Sequence, residues 1–118
     1  MRDDERRVLR SLKRKYRQNF KEEELDCGVR ADGVPVRKKF DAVSENRDII
    51  AMVKNYSAEN LIGNRTRLAR VMHDMVLLSE AKAEIRLMYL SKEFREWFET
   101  APDAAVPSGI EIRTIPSR

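Results

Sequence analysis

Residues 6–21, RRVLRSLKRKYRQNFK, carry eight basic side chains and no acidic one, whereas the whole chain is only +4. Like charges crowded on one segment repel one another unless something anionic meets them. The chemistry they suit is the binding of phosphate, of an acidic protein surface, or of an anionic lipid. Five of them are arginines, whose planar guanidinium holds phosphate oxygens two at a time. Arg6, Arg7, Arg10, Lys13, Arg14, Arg17 and Lys21 are therefore the candidate contacts to an anionic partner. Such contacts touch phosphates without reading sequence.

The other chemically capable residues do not assemble into a catalytic pattern. Gly28 and Gly33 have the spacing of a phosphate loop, but the chain continues into Val34-Pro35 where Lys-Ser/Thr is required. Cys27 and His73 are too few soft ligands for a structural metal site, so no metal and no cofactor are expected. His73 falls on the polar side of its helical pattern. Cys27 lies near Arg30 as a candidate reactive thiol, a placement that simple burial explains equally well. Carboxylates are plentiful and scattered. The expectation is a protein that is not an enzyme.

The elements that must position the basic residues read as helices. Asp3, Asp4 and Glu5 suit a helix N-terminus, where acids complement the dipole. At about 100° per residue, Val8, Leu9, Leu12, Tyr16 and Phe20 share one arc and all the basic residues but Lys15 share the arc beside it. The spacing predicts an amphipathic helix over 3–24. A turn-rich insert follows near 28–36, where Asp32-Gly33 gives either a short hairpin or a plain loop. Val36, Phe40 and Val43 suggest a short helix, and Ser44 caps a further one over 45–56. The longest periodic stretch, 65–90, predicts a central helix lined by Leu68, Val71, Met72, Met75, Leu78, Ile85 and Tyr89. Its apolar surplus at Leu77, Leu87 and Met88 suggests a contact between copies of the chain. Ser91 caps a last helix over 92–100, which places Phe94, Trp97 and Phe98 on one side.

From residue 101 the periodicity stops, and three of the four prolines lie there. This part reads as an extended or disordered tail over 101–118, although Ile110 and Ile112 alternate as in an edge strand. The fold expectation is thus all-α: one domain over 1–100, a bundle of three to four helices around the central one, and an irregular tail. No apolar run approaches the roughly 20 residues that span a bilayer. The N-terminus lacks the apolar core of a secretory signal, and the single cysteine fits a reducing compartment, so a cytoplasmic location is expected.

Two partner classes follow. The first is nucleic acid, bound through phosphates by the basic helix without catalysis. The second is an acidic protein surface, for an adaptor, inhibitor or structural subunit, with Phe94, Trp97, Phe98, Ile110 and Ile112 as apolar anchors. A helix-turn-helix over 45–75 fits poorly, because its turn is too long and Arg65, Arg67 and Arg70 spread around their helix. A membrane surface fits poorly too, since the apolar arc of the basic helix is short and holds no tryptophan.

Overall fold

The computed structural model describes residues 2–57 and 61–117. Among these residues the chain forms α1 (Asp3–Tyr16), β1 (Phe20–Val29), β2 (Pro35–Ser44), β3 (Ile49–Lys54), α2 (Leu61–Glu80), β4 (Ile85–Leu90), α3 (Lys92–Thr100) and β5 (Ile110–Thr114). The strands make one sheet in the order β1-β2-β3-β4-β5. The β1–β2 and β2–β3 pairings are antiparallel, and β3–β4 and β4–β5 are parallel. This is an α/β architecture with a mixed sheet. It overturns the all-α expectation and with it the description of the protein as helical.

The correction has a local and a tertiary cause. Locally, the segments taken for short helices hold the β-branched residues Val36, Val43, Ile49, Ile50 and Val53, which suit a pleated surface better than a helix. At the tertiary level, Ile49 to Val53 are all buried, because β3 is covered on both faces. A strand buried on both faces shows no alternation, so its sequence looks like any apolar run. Ser44, expected to cap a helix, is a buried residue at the end of β2. Its hydroxyl accepts the Ile49 N–H at 3.0 Å and donates to Asn46 Oδ1 at 2.8 Å, closing the β2–β3 turn.

The basic helix is shorter than expected. It stops at Tyr16, where Arg17 takes the left-handed conformation (φ 56°) and its N–H returns to the Lys13 carbonyl at 2.9 Å. Residues 20–29 then leave the helical pattern to pair with β2, so Phe20 and Lys21 belong to β1. The insert near 28–36 is the tip of a long hairpin, not an isolated turn. Arg30 donates to the Val34 carbonyl at 2.8 Å, Asp32 Oδ1 accepts the Val34 N–H, and Gly33 supplies the positive φ of 87° that the turn requires.

The expected central helix divides in two. Leu68, Val71, Met75 and Leu78 lie buried on α2, whereas Ile85 and Tyr89 belong to β4. The apolar surplus at Leu87 and Met88 is thereby explained, since each is fully buried within the chain's own sheet. The last helix, α3, begins where Ser91 accepts the Phe94 N–H at 3.2 Å. The stretch expected to be an irregular tail contains β5, in register from Ile110 opposite Arg86 to Thr114 opposite Leu90.

Two cores result, one on each face of the sheet. Val8 and Leu12 of α1 pack against Ala42, Ala51, Val53, Leu87 and Tyr89. On the other face, α2 and α3 cover Phe40, Ile50, Met52, Met88 and Leu90. Fully burying a leucine such as Leu12 contributes about 2 kcal/mol, which helps to anchor α1 on the sheet.

Candidate nucleic-acid interface

With Val8 and Leu12 turned into the core, the opposite side of α1 must face solvent. Arg6, Arg10, Lys13, Arg14 and Arg17 are all exposed there. Among the described residues none of the five forms an ion pair. Basic residues elsewhere are largely paired, with Arg37 on Asp26 at 3.0 Å, Lys39 on Glu22 at 2.6 Å and Arg47 on Glu23 at 2.5 Å. The excess positive charge of the sequence is therefore also spatially separate.

The remaining two candidates differ. Arg7 is half-buried, ion-paired with Asp3, and donates through Nε to the Pro116 carbonyl at 2.8 Å. It ties α1 to the segment after β5 and closes one side of a shallow groove that Arg10, Ser11, Arg14 and Ser117 also line. Lys21 is exposed at the start of β1, off the helix, and its charge helps to hold the Glu23 carboxylate below its ordinary range behind the dominant Arg47 hydrogen bond. Arg113 of β5 completes the attachment, donating to the Tyr16 hydroxyl at 2.8 Å and lying 5.7 Å from the centre of its ring.

The apolar candidates are drawn inward. Phe94 is fully buried, Phe98 nearly so, and Trp97 is half-buried with its ring 5.5 Å from that of Phe94. Ile110 and Ile112 are half-buried on β5, packed on the chain's own core. These residues close the domain. Cys27 is buried beneath α2, and burial pushes its thiol above the ordinary range, the opposite of an activated nucleophile.

A second constellation was not visible in the sequence. The β2–β3 ladder runs through Val43–Ile50 and Ala42–Ala51. Beyond it, Asp41 fills the fork with its side chain, and its Oδ2 accepts the Val53 N–H at 2.7 Å. Lys54, the last residue of β3, lies 2.5 Å from Oδ2 of Asp74 on α2, and Lys38 of β2 lies 3.6 Å from Oδ1 of the same carboxylate. From α1, Glu5 stands within electrostatic range of Asp41 and pairs with Arg2 at 3.2 Å. Burial pushes the Asp41 carboxyl above the ordinary carboxylate range. The Val53 hydrogen bond and the charges of Lys54 and Arg2 oppose the shift, and Glu5 adds to it. The fork lies at the C-terminal end of β3, where its antiparallel pairing with β2 has ended and its parallel pairing with β4 runs on to Lys54. The available signal was a lysine closing the apolar run 49–53 and an aspartate between Phe40 and Ala42, and it has meaning only once those segments are strands.

Fold and surface together define an α/β protein whose sheet carries a basic helix on one face and a charged fork at one edge. No family model, curated protein or solved structure matches the chain. Among the described residues no helix is long and apolar enough to cross a membrane, and no cluster of side chains has the makings of a metal site.

Proposed function

We propose that this protein binds nucleic acid through the phosphate backbone, with the outward face of α1 as the contact surface. The observation that supports it is the row of exposed cations Arg6, Arg10, Lys13 and Arg14 on a helix anchored by Val8 and Leu12, with Arg17 at its C-cap, none of the five ion-paired among the described residues. Unpaired surface cations carry released counter-ions as their driving force, and affinity falls by about 0.9 log units per contact per log unit of salt. Arginine and lysine side chains on such a row position a backbone and do not read bases. Reversing charge at Lys13, Arg14 and Arg17 tests the assignment by fluorescence anisotropy on unrelated oligonucleotides. The expected result is a similar loss of affinity on all of them and a flatter salt dependence. Affinity that survives the triple change would remove α1 as the phosphate surface and leave an acidic protein as its partner.

A further inference from the structure

We infer that the nucleic acid bound by α1 is a duplex and not a single strand, an inference that rests on the backbone-binding reading above. Proteins that hold single strands combine a basic track with exposed aromatic rings on which bases stack, each worth about 1–3 kcal/mol. The basic face of α1 has the track and lacks the rings. Among the described residues the large apolar side chains that stand exposed are Val29, Val34, Val76 and Val106, none of them aromatic. Tyr16, the ring carried by α1 itself, is occupied. Arg113 and Lys15 each lie 5.7 Å from its centre, Phe20 packs against it at 6.3 Å, and its hydroxyl accepts from Arg113.

The shape of the row points the same way. From Arg6 to Arg14 the helix advances about 12 Å at 1.5 Å per residue. That is comparable with the width of a duplex major groove, about 12 Å, so the row can reach phosphates on both rims of a groove. A duplex holds those two rims at a fixed separation, with its bases already stacked on one another. A flexible strand must be straightened on the row with no stacking contact in return.

The test is an anisotropy titration of the full chain against one labelled 20-mer, as single strand and as duplex, at about 100 mM salt. The expected result is at least about tenfold tighter binding to the duplex, the equivalent of losing one stacked base. A single strand bound as tightly as the duplex, or more tightly, would overturn the duplex inference and leave backbone binding standing. Binding to neither would overturn both. The Arg10→Glu/Arg14→Glu variant separates the row from other surfaces, and it should lose the duplex preference together with the affinity. A preference for duplex that persists in this variant would overturn the assignment to α1.

Discussion

The Asp41 carboxylate stands in for a strand. Its Oδ2 takes the Val53 N–H at 2.7 Å where the β2–β3 ladder has ended, so a side chain satisfies a backbone donor in the interior of the sheet. Val53 is almost wholly buried, and water cannot replace that acceptor. Asp41→Ala is therefore expected to lower the unfolding free energy by about 1–3 kcal/mol in urea titrations. Asp41→Asn, which keeps an acceptor oxygen, should lose much less. Equal losses in the two variants would show that the hydrogen bond is not what Asp41 contributes.

The same residue sets a dependence on pH. Its folded-state pKa is raised by burial, so the folded protein binds a proton more readily than the unfolded chain does. Such a group makes stability fall as pH rises from the unfolded toward the folded pKa, and its effect is constant above both. Wild type compared with Asp41→Asn as pH rises above the ordinary carboxylate range should show this difference in slope, the variant lacking the fall. A pH profile identical in the two proteins would contradict the assignment.

Lys54 and Asp74 form a pair that is mostly withdrawn from water, with side-chain exposures of 22% and 9%. Removing one partner leaves the other charge poorly solvated, with Lys38 at 3.6 Å the remaining ion pair of Asp74 among the described residues. Lys54→Met is expected to cost about 1–3 kcal/mol, below the range for fully buried pairs because Lys54 keeps some solvent. The double change Lys54→Met/Asp74→Leu should recover most of that loss. Additive losses in a double-mutant cycle would mean that the two residues act independently.

Stability and binding separate on α1. Leu12 is fully buried, and Leu12→Ala is expected to cost about 2–5 kcal/mol through lost burial and the cavity left behind. Arg14 is exposed and unpaired, so Arg14→Glu should leave the melting temperature nearly unchanged while weakening nucleic-acid binding. A large drop in melting temperature for Arg14→Glu would place that residue in the fold and not at its surface.

Ser91 performs two tasks at the start of α3. Its oxygen accepts the Phe94 N–H, and its hydroxyl donates to the Tyr56 carbonyl, joining the end of β4 to the chain after β3. Ser91→Ala is expected to destabilise by about 1 kcal/mol, and Ser91→Gly by a comparable amount because the second bond is lost as well. A variant as stable as wild type would show that both bonds are exchanged for water without cost.

The sequence by itself determined whatever depends on neighbours along the chain. The apolar stripe through Val8 and Leu12 with acids before it marks α1, Ser91 marks the start of α3, and Asp32-Gly33 marks a turn. The concentration of positive charge in residues 6–21 is a property of composition that no fold could remove. The tertiary structure decided what depends on distant partners. Val36, Phe40 and Val43 recur at helical intervals, yet β2 forms because β1 and β3 offer ladders on either side of it. Ile49 to Val53 lost the alternation that marks a strand because helices cover both of their faces. Lys21 left the basic helix because Arg17 turned the chain toward β2. The fork is the extreme case. Glu5, Asp41, Lys54 and Asp74 come from four different elements, and only the packing of two helices on opposite faces of one sheet brings their charges together.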